Sequence, residues 1–207
     1  MKKLIGIVGT NSSKSTNRDL LKFMQSHFSD QADIELMEIK DLPPFNKPAD
    51  KQVPERVKEM ADKIKAADGV IISTPEYNHS ITAALANAIH WLTYYIYPFV
   101  DKPVMITGAS YGKLGSSRAQ THLRQILDSP DIKARVIPNS EFLLGFSLDA
   151  FDENGNLKDP NTVKRLESIF SDFMTFIDIT DQLIKAYGAK KKEAKSFSWN
   201  NEKEGSK

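Results

Sequence analysis

The chain has 207 residues, enough for one domain with a well-buried core, and its 40% hydrophobic and 27% charged residues make an ordinary soluble balance. A net charge of +1 supplies no field for drawing in nucleic acid or an anionic membrane, and it argues against a strongly acidic electron carrier. Cysteine is absent, which excludes disulfides, thiolate nucleophiles, zinc–thiolate sites and cysteine-ligated iron–sulfur clusters.

The N-terminal "MKKLIGIVGTNSS" carries an apolar run too short to span a membrane and lacks the cleavage site of a signal peptide. It is expected to form a buried strand over Lys3–Gly9 in a cytoplasmic protein. A polar turn then leads into an amphipathic helix, "TNSSKSTNRDLLKFMQSHF". "DIELMEI" (Asp33–Ile39) alternates as a strand should. "KDLPPFNKPADKQVP" is a loop, because its prolines remove backbone donors. "ERVKEMADKIKAA" has helical spacing, and "GVIIST" (Gly69–Thr74) is a β-branched run suited to a central parallel strand. A helix is expected from about Ser80, capped by that residue. "KPVMITGAS" (Lys102–Ser110) is a fourth strand, "SSRAQTHLRQILDS" a fourth helix and "ARVIP" (Ala134–Pro138) a fifth strand. A long helix follows from Pro160 to Tyr187, with Gly188 as its stop.

Repeated β–α units require crossover connections and hence a parallel sheet with helices on both faces. Five strands point to a flavodoxin-like, doubly wound α/β sheet of order 2-1-3-4-5. Residues 1–188 form that domain. Residues 189–207 are a polar tail, expected to be mobile, whose Trp199 offers a contact for a partner. In such sheets a ligand lies at the carboxyl ends of the strands, near the point where strand order reverses. Three loops meet there: after Val8, after Thr74 and after Thr107.

The first loop, "GTNSSKSTN", holds a single glycine and a run of hydroxyl and amide side chains: Thr10, Asn11, Ser12, Ser13, Ser15, Thr16 and Asn17. Neutral donors at a helix N-terminus suit a terminal phosphate monoester. The same loop also reads as a helix cap on a solvated serine-rich turn. In the second, "STPEYNHS", Pro75 ends the strand, and Glu76, Tyr77 and Asn78 form the turn. A flat phenol beside a donor–acceptor amide suits a heteroaromatic ring. A turn with Tyr77 as a lid on the core is the alternative. In the third, "GASYGKLGSSRAQ", Gly112 and Gly115 permit close approach or positive φ, and Ser110 with the N–H groups around Tyr111–Lys113 can meet a ring's polar edge.

Three blocks carry a family resemblance: "GT…S.N", "TPEYN.SI…L.NAI.WL" and "KPV.I.GAS.G..G..RAQ.HLRQ.L". From about Lys3 to Gly145 the chain resembles the NADPH-dependent FMN reductases, which include quinone, azo and chromate reductases. The resemblance implies that Thr10, Ser15 and Asn17 bind the FMN phosphate, with Ser12 and Thr16 in the same cradle. It implies that Pro75, Glu76, Tyr77 and Asn78 line the ribityl chain and isoalloxazine, and that Ser110, Tyr111 and Gly112 meet the ring. The implied activity passes a hydride from NADPH or NADH, through flavin N5, to a quinone, azo compound, flavin or similar small acceptor. No side chain is then needed as catalytic acid, base or nucleophile. The implied assembly is a homodimer or homotetramer, with Arg118 and Glu141 as candidate intersubunit ion pairs. Trp91 is expected in the core, and some of Tyr94, Tyr95, Tyr97 and Phe99 at the interface or over the substrate pocket.

The chain departs from the family where an arginine is frequent in the first loop and Ser12 stands instead; Lys14 is the available substitute. His79 replaces the glycine usual after "PEYN", and His90 the acidic residue before Trp91. None of the four histidines pairs at metal-ligand spacing, and "DENGNLKD" (Asp152–Asp159) is read as a turn, not a calcium loop. A noncatalytic electron carrier or flavin-binding module is the alternative function, and a cofactor-free interaction protein a third.

Overall fold

The computed structural model describes residues 1–138 and 140–197. Its strands are β1 (Lys2–Val8), β2 (Ala32–Glu38), β3 (Gly69–Ser73), β4 (Pro103–Ala109), β5 (Arg135–Val136) and β6 (Phe142–Leu144). Its helices are α1 (Thr16–His27), α2 (Glu55–Ala66), α3 (Ala83–Thr93), α4 (Ser117–Leu127), α5 (Pro160–Tyr187) and α6 (Lys191–Phe197). The sheet is parallel in the order β2-β1-β3-β4-β5, with β6 also pairing β4, so the flavodoxin-like α/β expectation holds.

The central strands β1, β3 and β4 are apolar on both faces because helices cover both, whereas the edge strand β2 alternates and exposes Asp33 and Glu35. On one face Leu4, Val8, Ile71 and Met105 pack against α1 and α5, through Leu20, Leu21, Met24, Phe170 and Phe173. On the other, Ile5, Ile7, Ile72 and Ile106 pack against α2, α3 and α4. Burying one such Leu or Phe side chain stabilises by roughly 1.5–3 kcal/mol. The stack of Phe28 on Phe170, with centroids 3.8 Å apart, fastens α1 to α5.

The fifth position in the sheet is divided between two short strands. β5 pairs with the start of β4 (Val104↔Val136), and β6 with its end (Thr107↔Phe142 to Ala109↔Leu144). Pro138 lies between them and has no N–H for the ladder. The strand read as Ala134–Pro138 therefore stops and resumes. Arg124 bridges the gap, donating from Nη1 to Ile137 O at 2.8 Å and from Nη2 to Ser140 O at 3.3 Å. The resumed segment matters for the site, since Ser110 N donates to Leu144 O and thereby fixes the third loop.

The aromatic segment after α3 turns inward. Trp91 is in the core as expected, but Tyr94, Tyr97 and Phe99 are buried in the same chain too, and Tyr95 is half-buried. They are not over the candidate pocket. The proline loop between β2 and α2 folds across them: Trp91 Nε1 donates to Pro43 O and Tyr94 OH to Pro48 O, each at 2.7 Å. Phe45 packs edge-on against both rings. Residues 152–159 form a turn in which the Asp152 carboxylate accepts from Asn154 N and Asn156 N. α5 spans the expected Pro160–Tyr187, and Gly188 ends it at φ 78°. Part of the segment read as a tail is ordered: α6 buries Ala194, and Lys190 N donates to Asp101 Oδ2 at 2.6 Å. The contact suggested for Trp199 lies outside the described residues.

Candidate active site

The three loops converge on one cavity of about 520 Å³ at the carboxyl ends of β1, β3 and β4. That volume is in the range of small-molecule and cofactor sites. Thr10, Ser15, Thr16 and Asn17 line it from the first loop, Pro75, Glu76 and Tyr77 from the second, and Ser110, Tyr111 and Gly112 from the third. Ser12 and Asn78, placed in the site by the sequence reading, do not line it.

The first loop is drawn tight by Gly9, whose N–H donates to Ser73 O at 2.8 Å. A Cβ there would lie 2.6 Å from that same oxygen, so no other residue fits unshifted. Ser15 caps α1 by accepting from Arg18 N at 3.3 Å. The N–H groups of Thr16 and Asn17 then have no acceptor among the described residues. Lys14 lines the cavity beside them and makes no ion pair among the described residues. Thr16 Oγ1 is shared with Ser147 Oγ at 2.8 Å. The site therefore offers an anion unpaired N–H donors at a helix N-terminus and the Lys14 ammonium, with Lys113 on the same cavity from the third loop.

Two side chains at the start of α1 do structural work that only the fold reveals. Asn17 is 2% exposed; its amide donates to Ala109 O and accepts from Ala109 N and Ser73 Oγ, all at 2.9 Å. It staples α1 to β3 and β4, leaving its backbone N–H for a ligand. Arg18 forks onto Glu38 at 2.6 and 2.9 Å and reaches back to Ser12 O at 2.9 Å. The hydrogen bond to Arg18 holds the Glu38 carboxyl below its ordinary range, and the same bond raises the Arg18 guanidinium. Both groups therefore stay charged, and the loop is braced from behind.

In the second loop, Tyr77 and Ser80 exchange both backbone hydrogen bonds at 3.0 Å, with Asn78 and His79 at positive φ between them. This is a two-residue hairpin of the primed type, where Asn is well suited to the left-handed conformation. Asn78 thus serves the turn, and the hairpin delays α3: Thr82 caps it, through Leu85 N, in place of Ser80. Ser80 Oγ instead meets His122 Nδ1 at 2.6 Å. Tyr77 is 52% exposed at the cavity mouth, so it is no lid on the core. Glu76 reaches across to α4, accepting from Arg118 N at 2.9 Å and from Arg118 Nη1 at 3.1 Å. It supplies the cap that Ser116, in the left-handed conformation with no side-chain cap bond, does not. Arg118, read as a candidate for an intersubunit pair, pairs with Glu76 of its own chain.

The third loop is held by Ser147 N donating to Ser110 O and Phe146 N to Gly112 O. Gly115 takes positive φ, while a Cβ at Gly112 would meet nothing within 4 Å. The N–H groups of Tyr111, Gly112 and Lys113 have no acceptor among the described residues, and the cavity also touches Ala109, Lys113 and Leu114, which sequence reasoning did not single out. A larger recess of about 1180 Å³ lies at the sheet edge between α4 and α5. Its arginines are engaged on backbone carbonyls, Arg124 on Ile137 and Ser140 and Arg165 on Glu141, and Asp128 and Glu141 also line it.

Unpaired N–H donors and an ammonium at the switch point of a parallel sheet suit an anionic ligand. The family model described as NADPH-dependent FMN reductase matches residues 2–149, and the chain belongs to that family. It is accordingly an oxidoreductase that works with FMN and a nicotinamide donor. The chain is 52% identical over 195 residues to the NADH:(hydroxy)cinnamate reductase subunit CrdA of Vibrio ruber, covering 94% of this chain and 96% of the relative. It is 45% identical over 181 residues to the NADH-dependent flavin reductase subunit 2 of Lactobacillus johnsonii, covering 85% and 97%. The solved structure of FerB, a flavoenzyme NAD(P)H:(acceptor) oxidoreductase from Paracoccus denitrificans, superposes with a TM-score of 0.75 at 28% identity, covering 88% of this chain and 98% of that one. No helix among the described residues is long and apolar enough to cross a membrane.

Proposed function

We propose that the chain passes a hydride from NADH or NADPH, by way of FMN in the cavity described above, to a small acceptor such as a quinone, azo compound, cinnamate or free flavin. One observation carries this reading: unpaired N–H donors from two separated loops and the free ammonium of Lys14 face one cavity of about 520 Å³. The donor set fits FMN. The phosphate goes to the N–H groups of Thr16 and Asn17, the hydroxyls of Thr10 and Ser15, and Lys14. Each bond to a charged phosphate is worth roughly 1.5–3 kcal/mol, and the helix dipole adds less.

Pro75 and Tyr77 wall the ring side, while the Glu76 carboxylate is held by Arg118, and the N–H groups of Tyr111, Gly112 and Lys113 meet the ring's polar edge. The flavin supplies reversible hydride acceptance at N5; the protein supplies position and excludes water. Tyr77 at the mouth leaves one face open, so donor and acceptor use that face in turn. Ser12 and Asn78 act behind the cavity, shaping the first loop and the hairpin. The domain of residues 1–188 suffices for this chemistry, in the cytoplasm, as a homodimer or homotetramer.

The test is NAD(P)H oxidation by FMN-loaded protein with a quinone, a cinnamate and FMN as acceptors. Turnover with one of them is expected. Bound FMN with no turnover on any acceptor would make the protein a carrier. A second reading, transfer to a partner subunit, has its own support, since two of the relatives above are named as subunits. Turnover that appears only with a co-expressed partner would favour it.

A further inference from the structure

A second recess, of about 550 Å³, lies on the outer side of the first turn of α1 and shares Lys14, Ser15, Thr16 and Tyr111 with the first cavity. Beyond those shared residues its walls include Lys22, Asp19, Leu148 and Phe151, with Arg18 and Asp152 as the remaining charged groups. Lys22 makes no ion pair among the described residues, and Leu148 is 65% exposed. The other charged groups there are engaged: Arg18 on Glu38, and Asp152 on the donors of its own turn. What remains is two ammonium groups without ion pairs among the described residues, the Asp19 carboxylate, and the apolar and aromatic side chains of Leu148, Phe151 and Tyr111.

That combination suits an adenylate. Ammonium groups meet a phosphate, a carboxylate accepts from the ribose hydroxyls, and a purine packs on apolar and aromatic surface. We propose that this recess takes the adenylate half of FAD, so that the chain binds the dinucleotide flavin as well as FMN. The inference rests on the reading that the first cavity holds FMN with its phosphate at α1. In FAD the second phosphate is joined directly to the first, so the adenylate must leave at the phosphate cradle. The recess opens at that point, at Lys14, Ser15 and Thr16. The adenylate half of a nicotinamide dinucleotide stacked on the flavin would instead leave from the ring end, beside Pro75–Tyr77 and Ser110. Continuity at the phosphate end therefore selects FAD.

Calorimetric titration of the full chain with FMN, FAD and riboflavin tests this, in the wild type and in Lys22→Glu and Leu148→Asp. Both positions are exposed and outside the proposed FMN contacts, and thermal melting checks that the variants fold. The expected result is that each variant weakens FAD at least about fivefold relative to FMN, whose affinity is unchanged. ADP should compete with FAD for the wild type and lose that ability in Lys22→Glu. Failure of FAD to bind while FMN binds, or equal changes for both flavins, would overturn the proposal and leave the FMN site standing. Weakened NADH binding to flavin-loaded variants at unchanged FAD affinity would assign the recess to the nicotinamide donor and overturn it as well. No binding of any flavin would overturn the FMN reading and this one with it.

Discussion

The two ends of the sheet use similar residues to opposite effect. At the amino-terminal end the polar groups close on one another. Asp101, 5% exposed, accepts from Arg135 Nε and Nη2 and from Lys190 N. Asp68 accepts from Lys3 N, and Lys102 donates to Ala67 O and Lys65 O. α6 covers this end, with Glu193 on Lys133. At the carboxyl end the N–H groups of Thr16, Asn17, Tyr111, Gly112 and Lys113 and the ammonium of Lys14 are left facing a cavity. A buried polar group without a partner costs stability, so such groups persist where water or a ligand completes them. One end is finished by the chain itself; the other is finished by what it binds.

That contrast can be broken in order of effect. The largest is expected at Gly108, where a Cβ would fall 1.8 Å from Ser116 Oγ and 2.6 Å from Thr74 O. Gly108→Val should cost about 3 kcal/mol or more in urea unfolding and abolish FMN binding together, because it pushes apart the ends of β3 and β4, whose neighbours Pro75 and Ala109 line the cavity. Asp101→Asn should cost about 2 kcal/mol by leaving Arg135 incompletely paired, with FMN affinity changed by less than about twofold. A comparable loss of FMN affinity there would deny that the two ends act separately.

Lys14→Ala should do the reverse: FMN weakened by about tenfold, stability moved by less than about 0.5 kcal/mol, and riboflavin binding unaffected because it carries no phosphate. If riboflavin weakens equally, Lys14 is not on the phosphate. The smallest effect is Glu38→Gln, about 1 kcal/mol near neutral pH. Because Arg18 depresses the Glu38 carboxyl, its contribution is full above the ordinary carboxylate range and is lost as pH falls through the depressed value. Wild type and variant should therefore converge in acid, as followed by denaturant melts from pH 7 downward.

The alternation of β-branched runs with helical patterns, the prolines of the loop between β2 and α2 and the Gly188 stop follow from local chemistry, and they point to the sheet order and to which three loops meet. The hydroxyls of the first loop and the donor-rich third loop were legible for the same reason: a strand-to-helix turn at the switch point needs only local residues to offer N–H groups. What each polar side chain there does was not legible. Asn17 reads as a ligand contact until Ala109 and Ser73 are brought to its amide. Glu76 reads as a ring contact until α4 presents Arg118, and the rings after α3 read as a surface until the proline loop covers them.

The strand–helix alternation by itself determined a parallel α/β sheet and the three loops that meet at its carboxyl end, and the resemblance of those loops to a known family supplied the cofactor. Only the tertiary structure decided which donors stay open, where Pro138 divides the fifth strand, and that a second recess adjoins the phosphate end of the first. The physical reason is that periodicity depends on neighbours in sequence, whereas hydrogen-bond satisfaction depends on groups that only folding brings within 3 Å or so.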